Sequence, residues 1–422
     1  MAVKNLKSLL LFLVGMLIYY APLNASPFLQ DSDQDYVEYK GEVINSNNED
    51  VIVNAHLSVN ETNISTVTNS EGKFSLKVPK GSSPATVNIS YLGYQSKNLP
   101  LSYFKPRGTI IYLEPVVEEL SEVKVYEAGD ARRLVRNMLD NRGDNYIDDP
   151  TQMTAFYRES ISKGNRNVSL SEAVVKIHKK PYSDFGEEDI ELVKARKTAD
   201  YERLDTLALK LRGGPFNTLF IDVMKYPDYL FYERDLDNYE FSFEEPTQID
   251  NRYLYVVSFE DMNKNMPWFF GTLFIDAETQ SLVRAKLNMN VDNRRAATNM
   301  FVNKKPGGTK VYPIEVMYDI DYHQQDGKWY FGYSNAQLLF VVNWKRKLFN
   351  SRYLVDSEMA VTNWHPQSED RIKKRDNFIN KRVVMADDIS GFTDLQFWGS
   401  NNIIEPDKSI QNAIEKIQEN IQ

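Results

Sequence analysis

The chain has 422 residues, with 50 Lys and Arg against 59 Asp and Glu, a formal net charge of −9, only 4 His and no Cys. The missing Cys excludes disulfides, thiolate metal sites and cysteine nucleophiles, and the acidic balance argues against a nucleic-acid partner, which needs a basic face. Hydrophobic residues make up 42% and aromatic ones 12%, which is too much for wholesale disorder and enough for two or three packed domains.

Lys4 and Lys7 precede an apolar run from Leu9 to Tyr20, and Ala21 to Ala25 supply small residues at a cleavage site. Residues 1–25 therefore read as a removed signal peptide, because the run is too short to span a bilayer, and the chain is expected to be exported. Residues 26–36 are polar and acidic, and read as a tether. From 37 to 115 short strand-like runs (Val37–Ile44, Ile52–Val59, Lys73–Val78, Ala85–Tyr91, Thr109–Leu113) are divided by turn residues. That pattern predicts a small antiparallel β-sandwich. Residues 116–150 read as a linker strand, Val116–Tyr126, then a helix opened by Asp130. Its apolar face is Leu134, Val135, Met138 and Leu139, and Gly143 is placed to end it.

Residues 151–400 are strand-rich again, so the fold class is mainly β: a sandwich plus a larger antiparallel curved sheet with a few helices. Trp268–Asp276 and Ser281–Asn290 flank one turn, and Asp326-Gly327 marks another between long strands. The charged stretch Pro181–Asn217 reads as loop plus helix. Residues 401–422 end in an amphipathic helix, with Ile410, Ala413, Ile414, Ile417 and Ile421 on one stripe.

Residues 37–126 resemble the carboxypeptidase-regulatory-like domain of many Bacteroidota cell-envelope proteins. The resemblance is carried by Gly41-Glu-Val, Thr68-Asn-Ser-Glu-Gly-Lys-Phe-Ser75, Val78-Pro-Lys-Gly81, Ile89-Ser-Tyr-Leu-Gly-Tyr94 and Leu113-Glu-Pro. It implies a prealbumin-like sandwich without peptidase activity. Zinc carboxypeptidases use His-x-x-Glu, and none of His56, His178, His323 or His365 has Glu at the third position, so no metal or cofactor is expected. The same domain often precedes TonB-dependent receptors, and Leu120-Ser-Glu-Val-Lys-Val125 resembles the segment that follows it there. Leu120, Glu122, Val123 and Val125 are accordingly candidates for a partner strand. Ala155-Phe-Tyr-Arg-Glu159 and Ser171-Glu-Ala-Val174 resemble an uncharacterised envelope domain. The hairpin at Trp268–Leu287 is faintly similar to the half-open barrel of lipoprotein-localisation carriers.

Trp268, Phe270, Trp329, Phe331 and Trp344 are candidate ligand-binding aromatics, with packing of the sheet as the plainer reading. Arg158 and Glu159 are neighbours in a strand and point to opposite faces, so they do not pair with each other. No nucleophile elbow, phosphate loop or dinucleotide fingerprint occurs. The sequence thus predicts a non-catalytic binding or scaffolding protein at the periplasmic face of the outer membrane. Its partner would be an envelope protein, a glycan or a lipid, on the sheet of residues 250–360. Two alternatives are a TonB-linked transport component and a hydrolase of envelope or glycan substrates.

Overall fold

The computed structural model describes residues 35–82, 85–116, 130–164, 166–184, 186–199, 214–231, 236–263, 265–302, 307–345, 349–367, 378–379, 394 and 396–421. Residues 1–25, read above as a signal peptide, nearly all of the segment 26–36 read as a tether, and the partner-strand candidates Leu120, Glu122, Val123 and Val125 lie outside the described residues.

Seven strands build the sandwich: β1 (Tyr36–Asn45), β2 (His56–Val59), β3 (Ser65–Val67), β4 (Lys73–Pro79), β5 (Thr86–Ser90), β6 (Lys97–Pro100) and β7 (Thr109–Leu113). They form a three-stranded sheet, β4-β1-β7, and a four-stranded one, β3-β2-β5-β6. All pairs are antiparallel except β1 with β7, which run parallel. Alternation explains the packing. Phe74, Leu76 and Val78 from β4 meet Leu57, Val59, Val87 and Ile89 from the other sheet in one core. Gly72 and Gly93 both hold positive φ, 70° and 80°, at turns that a side chain would strain.

Helix α1 (Asp130–Asp140) buries Ala131, Leu134, Val135, Met138 and Leu139, as its periodicity predicts. It ends before Gly143, which falls within the short α2 (Arg142–Asn145). The Arg142 guanidinium donates to the Leu139 carbonyl at 3.1 Å, satisfying a helix-end acceptor that a glycine cap would otherwise serve.

Three strands follow: β8 (Thr151–Lys163), β9 (Arg166–Lys179) and β10 (Asp189–Ala199). Strand β10 stands in the stretch Pro181–Asn217, expected as loop plus helix, of which residues 200–213 lie outside the described residues. Its charges obscured it in the sequence, because in the fold they pair with charges on neighbouring strands. After α3 (Pro215–Leu219) and α4 (Pro227–Leu230), a meander runs through β11 (Tyr239–Ile249), β12 (Arg252–Asp261), β13 (Phe269–Asp276) and β14 (Leu282–Met289). Helix α5 (Arg294–Phe301) precedes β15 (Thr309–Gln325), β16 (Lys328–Trp344), β17 (Ser351–Pro366) and β18 (Phe378–Ile379), and α6 (Lys408–Ile421) comes last. At the β15–β16 turn Asp326 and Gly327 both take positive φ, 51° and 79°, the requirement of a two-residue hairpin loop.

These strands form one 11-stranded sheet, ordered β11-β12-β13-β14-β15-β16-β17-β8-β9-β10-β18, every neighbouring pair antiparallel and the ends unjoined. One face is packed by α1 and by Phe216, Leu219, Ile221, Val223, Met224, Leu230 and Phe231 of the α3–α4 segment. The opposite face carries the sandwich and the C-terminal segment. Val67 of β3 joins Phe156, Val174, Tyr333, Ala360, Trp398 and Ile404 in a second core. Ile410, Ile414 and Ile417 of α6 pack on Leu170. Polar bonds fasten the seam: Ser65 Oγ donates to the Val361 carbonyl (3.1 Å), Asn402 exchanges bonds with the Lys77 backbone (2.6 and 3.0 Å), and Gly93 N–H donates to the Gln248 carbonyl (2.8 Å). The described residues from Tyr36 onward thereby form one compact unit.

Under the C-terminal segment lies a buried ladder of charge. Glu358, Arg158, Glu172 and Arg196 sit directly across from one another on β17, β8, β9 and β10. Arg158 reaches Glu172 at 2.8 Å and Glu358 at 2.9 Å, Arg196 reaches Glu172 at 2.6 Å, and Arg158 also donates to the Ile404 carbonyl at 2.8 Å. Glu159 instead accepts from the Tyr157 hydroxyl on the other face, so the strand separates Arg158 from its sequence neighbour as expected.

Candidate functional site

The cleft of most interest lies in the seam, where β2 and β5 of the sandwich face β12, β14 and β15 of the sheet. Its volume is about 250 Å³, and both bodies line it. The local sequence explains its sandwich wall. In residues 54–60, Ala55, Leu57 and Val59 are fully buried in the sandwich core. Their alternating neighbours Asn54, His56, Ser58 and Asn60 turn outward and line the cleft. On β5, Asn88 and Ser90 stand opposite Ser58 and His56 and extend the same polar wall.

The sheet wall is ionic. Arg284 is 4% exposed; its Nε donates to Asp319 at 2.9 Å and lies 3.3 Å from Asp321, and its Nη2 also binds Asp319. Burial works against the Arg284 charge, but Asp321 and Asp319 outweigh it and hold the group above its ordinary range. Burial pushes the Asp321 carboxyl up to about 7, with Arg284 opposing and Asp319 adding to the rise. Arg252 pairs with Asp276 at 3.0 Å and donates to Gln324 at 2.6 Å. The Arg284 guanidinium lies 5.4 Å from the Tyr91 ring centroid.

Between the walls His56 and His323 stack at 3.6 Å with an interplanar angle of 10°. Burial lowers the His56 pKa from 6.5 to about 4. Burial first, then His56 and Arg284, depress His323 well below its ordinary value. Both rings are therefore neutral near pH 7. Their Nε2 atoms, and the indole nitrogen of Trp329, are out of contact with solvent and have no hydrogen-bond partner among the described residues. Gly332 makes room for the stack: a Cβ there would fall 1.7 Å from His323 Cδ2. Gly332→Ala is expected to cost about 1–3 kcal/mol by forcing the ring aside, and a chemical-denaturation curve unchanged from the parent would refute that fit.

Trp329 is 3% exposed and lines the seam cleft. Trp268 and Phe270 line a different hollow, of about 430 Å³, with Met266 and Met289. Trp344 packs against the main core. Phe331 is 0% exposed beneath the α3–α4 segment, and its N–H donates to the Tyr182 hydroxyl at 3.1 Å. Phe331→Ala is expected to lower stability by about 3–5 kcal/mol, as for any truncated core aromatic, and a smaller loss in urea unfolding would mean that the side chain packs less tightly than its burial implies. The structure therefore brings one of the five aromatics, Trp329, to the seam. His56, Tyr91, Arg284, Asp321 and His323 went unmarked as site residues in the sequence. One signal was there: strands β2 and β5 present an outward face of Asn, His and Ser where a solvated face commonly carries Lys and Glu.

On the helix side, Asp222 accepts from Tyr322 (2.8 Å), Tyr182 (3.1 Å) and Lys179 (2.7 Å), and Lys179 also reaches Glu188 at 3.1 Å. Every member is buried and bonded, and the network ties the α3–α4 segment to the sheet. No group of three or more His, Asp or Glu suited to a metal occurs among the described residues.

Residues 39–125 match the CarboxypepD_reg-like domain family, and the sandwich is a domain of that kind. A comparison with curated proteins finds no match. Among solved structures, the chain is similar to a domain from Vibrio parahaemolyticus described as an outer membrane lipoprotein-sorting protein, at 10% identity and TM-score 0.26 over 58% of this chain and 94% of that one. It is also similar to the MucA/MucB complex of Pseudomonas aeruginosa (12%, TM-score 0.20, 57% and 99%). A third likeness is to a LolA superfamily protein of Nitrosomonas europaea (8%, TM-score 0.17, 56% and 94%). At those scores the likenesses bear on neither ligand nor partner.

Proposed function

We propose that this chain is a non-catalytic binding protein of the cell envelope whose recognition site is the seam between sandwich and sheet. The observation that carries the reading is the cleft itself: sandwich and sheet bond across the seam, yet leave about 250 Å³ lined by polar groups from both. Structural interfaces are for the most part filled by side chains, and a polar hollow left between them holds water or a ligand. The reading of residues 1–25 as a leader supports export, and the regulatory-like domain supports the envelope as the compartment.

One feature favours hydrolysis, the raised Asp321 carboxyl beside Asp319. Both acids project from one strand and share the Arg284 guanidinium, whereas glycoside cleavage needs carboxyls on opposite sides of the bond. Binding without turnover fits that geometry better. Crystals soaked with a mixed set of short saccharides, amino acids and fatty acids test the site. Density in the seam supports it, and density confined to the Trp268–Phe270 hollow moves it elsewhere. Release of nitrophenol from nitrophenyl glycosides by the purified chain would overturn the non-catalytic part alone.

A further inference from the structure

The chemistry of the cleft selects among ligands. We propose that the seam takes one uncharged saccharide unit, held by the polar face of β2 and β5 against Tyr91 and Trp329; this rests on the seam being a binding site.

Charge is the first argument. The lining carries two cations, Arg252 and Arg284, and two anions, Asp250 and Asp321. Arg252 is already paired with Asp276, Arg284 with Asp319 and Asp321, and Asp250 accepts from Ser96 Oγ at 2.5 Å. An anionic ligand would enter a partly desolvated site whose guanidiniums are already matched, and a cationic one would meet only Asp250, exposed and already bonded to Ser96, so either gives up its hydration for little counter-charge.

Hydrogen-bonding capacity is the second. Asn54, Ser58, Asn88, Ser90 and Gln324 offer neutral donors and acceptors. His56 is 8% exposed, and its Nε2, the His323 Nε2 and the Trp329 indole nitrogen are buried without partners among the described residues. Those three nitrogens are closed off from the open space, so the capacity offered to a ligand is that of the Asn, Ser and Gln side chains along the wall.

Shape is the third. Tyr91 and Trp329 add ring surface to an otherwise polar lining, the pairing that a sugar ring needs for its C–H face and its hydroxyls. Aliphatic residues (Val67, Leu92, Ile249, Val283) are a minority, which disfavours an acyl chain. The space is below the roughly 300–1,000 Å³ common for small-molecule pockets, so it suits a single ring unit and not an extended oligosaccharide.

Isothermal titration of the mature chain with matched probes tests the assignment: N-acetylglucosamine (uncharged), glucosamine (cationic), glucuronate (anionic) and decanoate. N-acetylglucosamine is expected to bind, and the two charged sugars at least about tenfold more weakly. Asn88→Asp, on the partly exposed wall, is expected to weaken N-acetylglucosamine about tenfold while leaving the denaturation midpoint in place. Phe349→Ser, at a residue 83% exposed and outside the lining, serves as the control. Tighter binding of a charged sugar or of decanoate, sensitive to Asn88→Asp, overturns the saccharide class and leaves the seam reading standing. Binding insensitive to Asn88→Asp overturns the seam as its location. No heat with any probe overturns the saccharide assignment, and the soaked crystals then judge the seam separately.

Discussion

Arg158→Met is expected to cost the folded protein about 3–5 kcal/mol, the usual penalty for removing one member of a buried ion network. Arg158 is 4% exposed and, among the described residues, is the cation bonded to both Glu172 and Glu358. Without it Glu172 keeps only Arg196, and the Ile404 carbonyl loses its donor. The C-terminal segment should therefore exchange its amides faster as well as the whole chain unfolding at lower denaturant. Glu358→Gln should be mild, within about 1 kcal/mol, because burial already pushes the Glu358 carboxyl up to about 7 against the opposing pull of Arg158. Equilibrium unfolding in guanidinium chloride compares the two. Equal losses would show that the ladder does not act through Arg158.

The second large effect is acid sensitivity of the seam. His56 has an ordinary pKa of 6.5 and a folded value of about 4. Between those values the unfolded chain holds the proton and the folded chain does not, so protonation favours unfolding. The contribution is fully present above pH 6.5, and is lost as the pH falls through about 4. At 1.36 kcal/mol per unit this amounts to at most about 3 kcal/mol. Asp321 acts in the opposite sense: its folded value of about 7 lies above 3.8, so it favours the folded state at low pH and loses that effect as the pH rises. The His323 ring stacks on His56 and meets the Tyr330 ring, Arg284 acts on His323, and Arg284, Asp319 and Lys286 act on Asp321. His56→Gln separates the terms. The difference in unfolding free energy between parent and variant should shrink by about 3 kcal/mol from pH 7 to pH 4, and a difference that stays level would remove His56 from the acid response.

Much of the fold could be read from local pattern. The alternation in Leu282–Met289, the Asp326-Gly327 turn, the apolar face of α1 and the Ile stripe of α6 each report a face or a bend that neighbours in sequence determine. The regulatory-like sandwich was legible through its turn motifs, since Gly72 and Gly93 do occupy positive-φ turns. What escaped is long-range. Alternation says that His56 and His323 leave their cores, but not that they meet. Arg158, Glu172, Arg196 and Glu358 each look like a single charge inside a strand until the order β17-β8-β9-β10 sets them in a row. The same holds for β10, in a stretch whose local pattern predicts loop plus helix: its charges make sense beside β9. The aromatics misdirected attention for a related reason. Ring content marks strands, but whether a ring faces a core, as Phe331 does, or a cleft, as Trp329 does, depends on what packs above the sheet.

Hydrogen–deuterium exchange of the mature chain, with and without saturating N-acetylglucosamine, tests the central claim most directly. A site shared by sandwich and sheet predicts that amides of residues 54–60, 86–91 and 321–324 gain protection together. Protection confined to one body, or appearing instead around Trp268–Phe270, would contradict it.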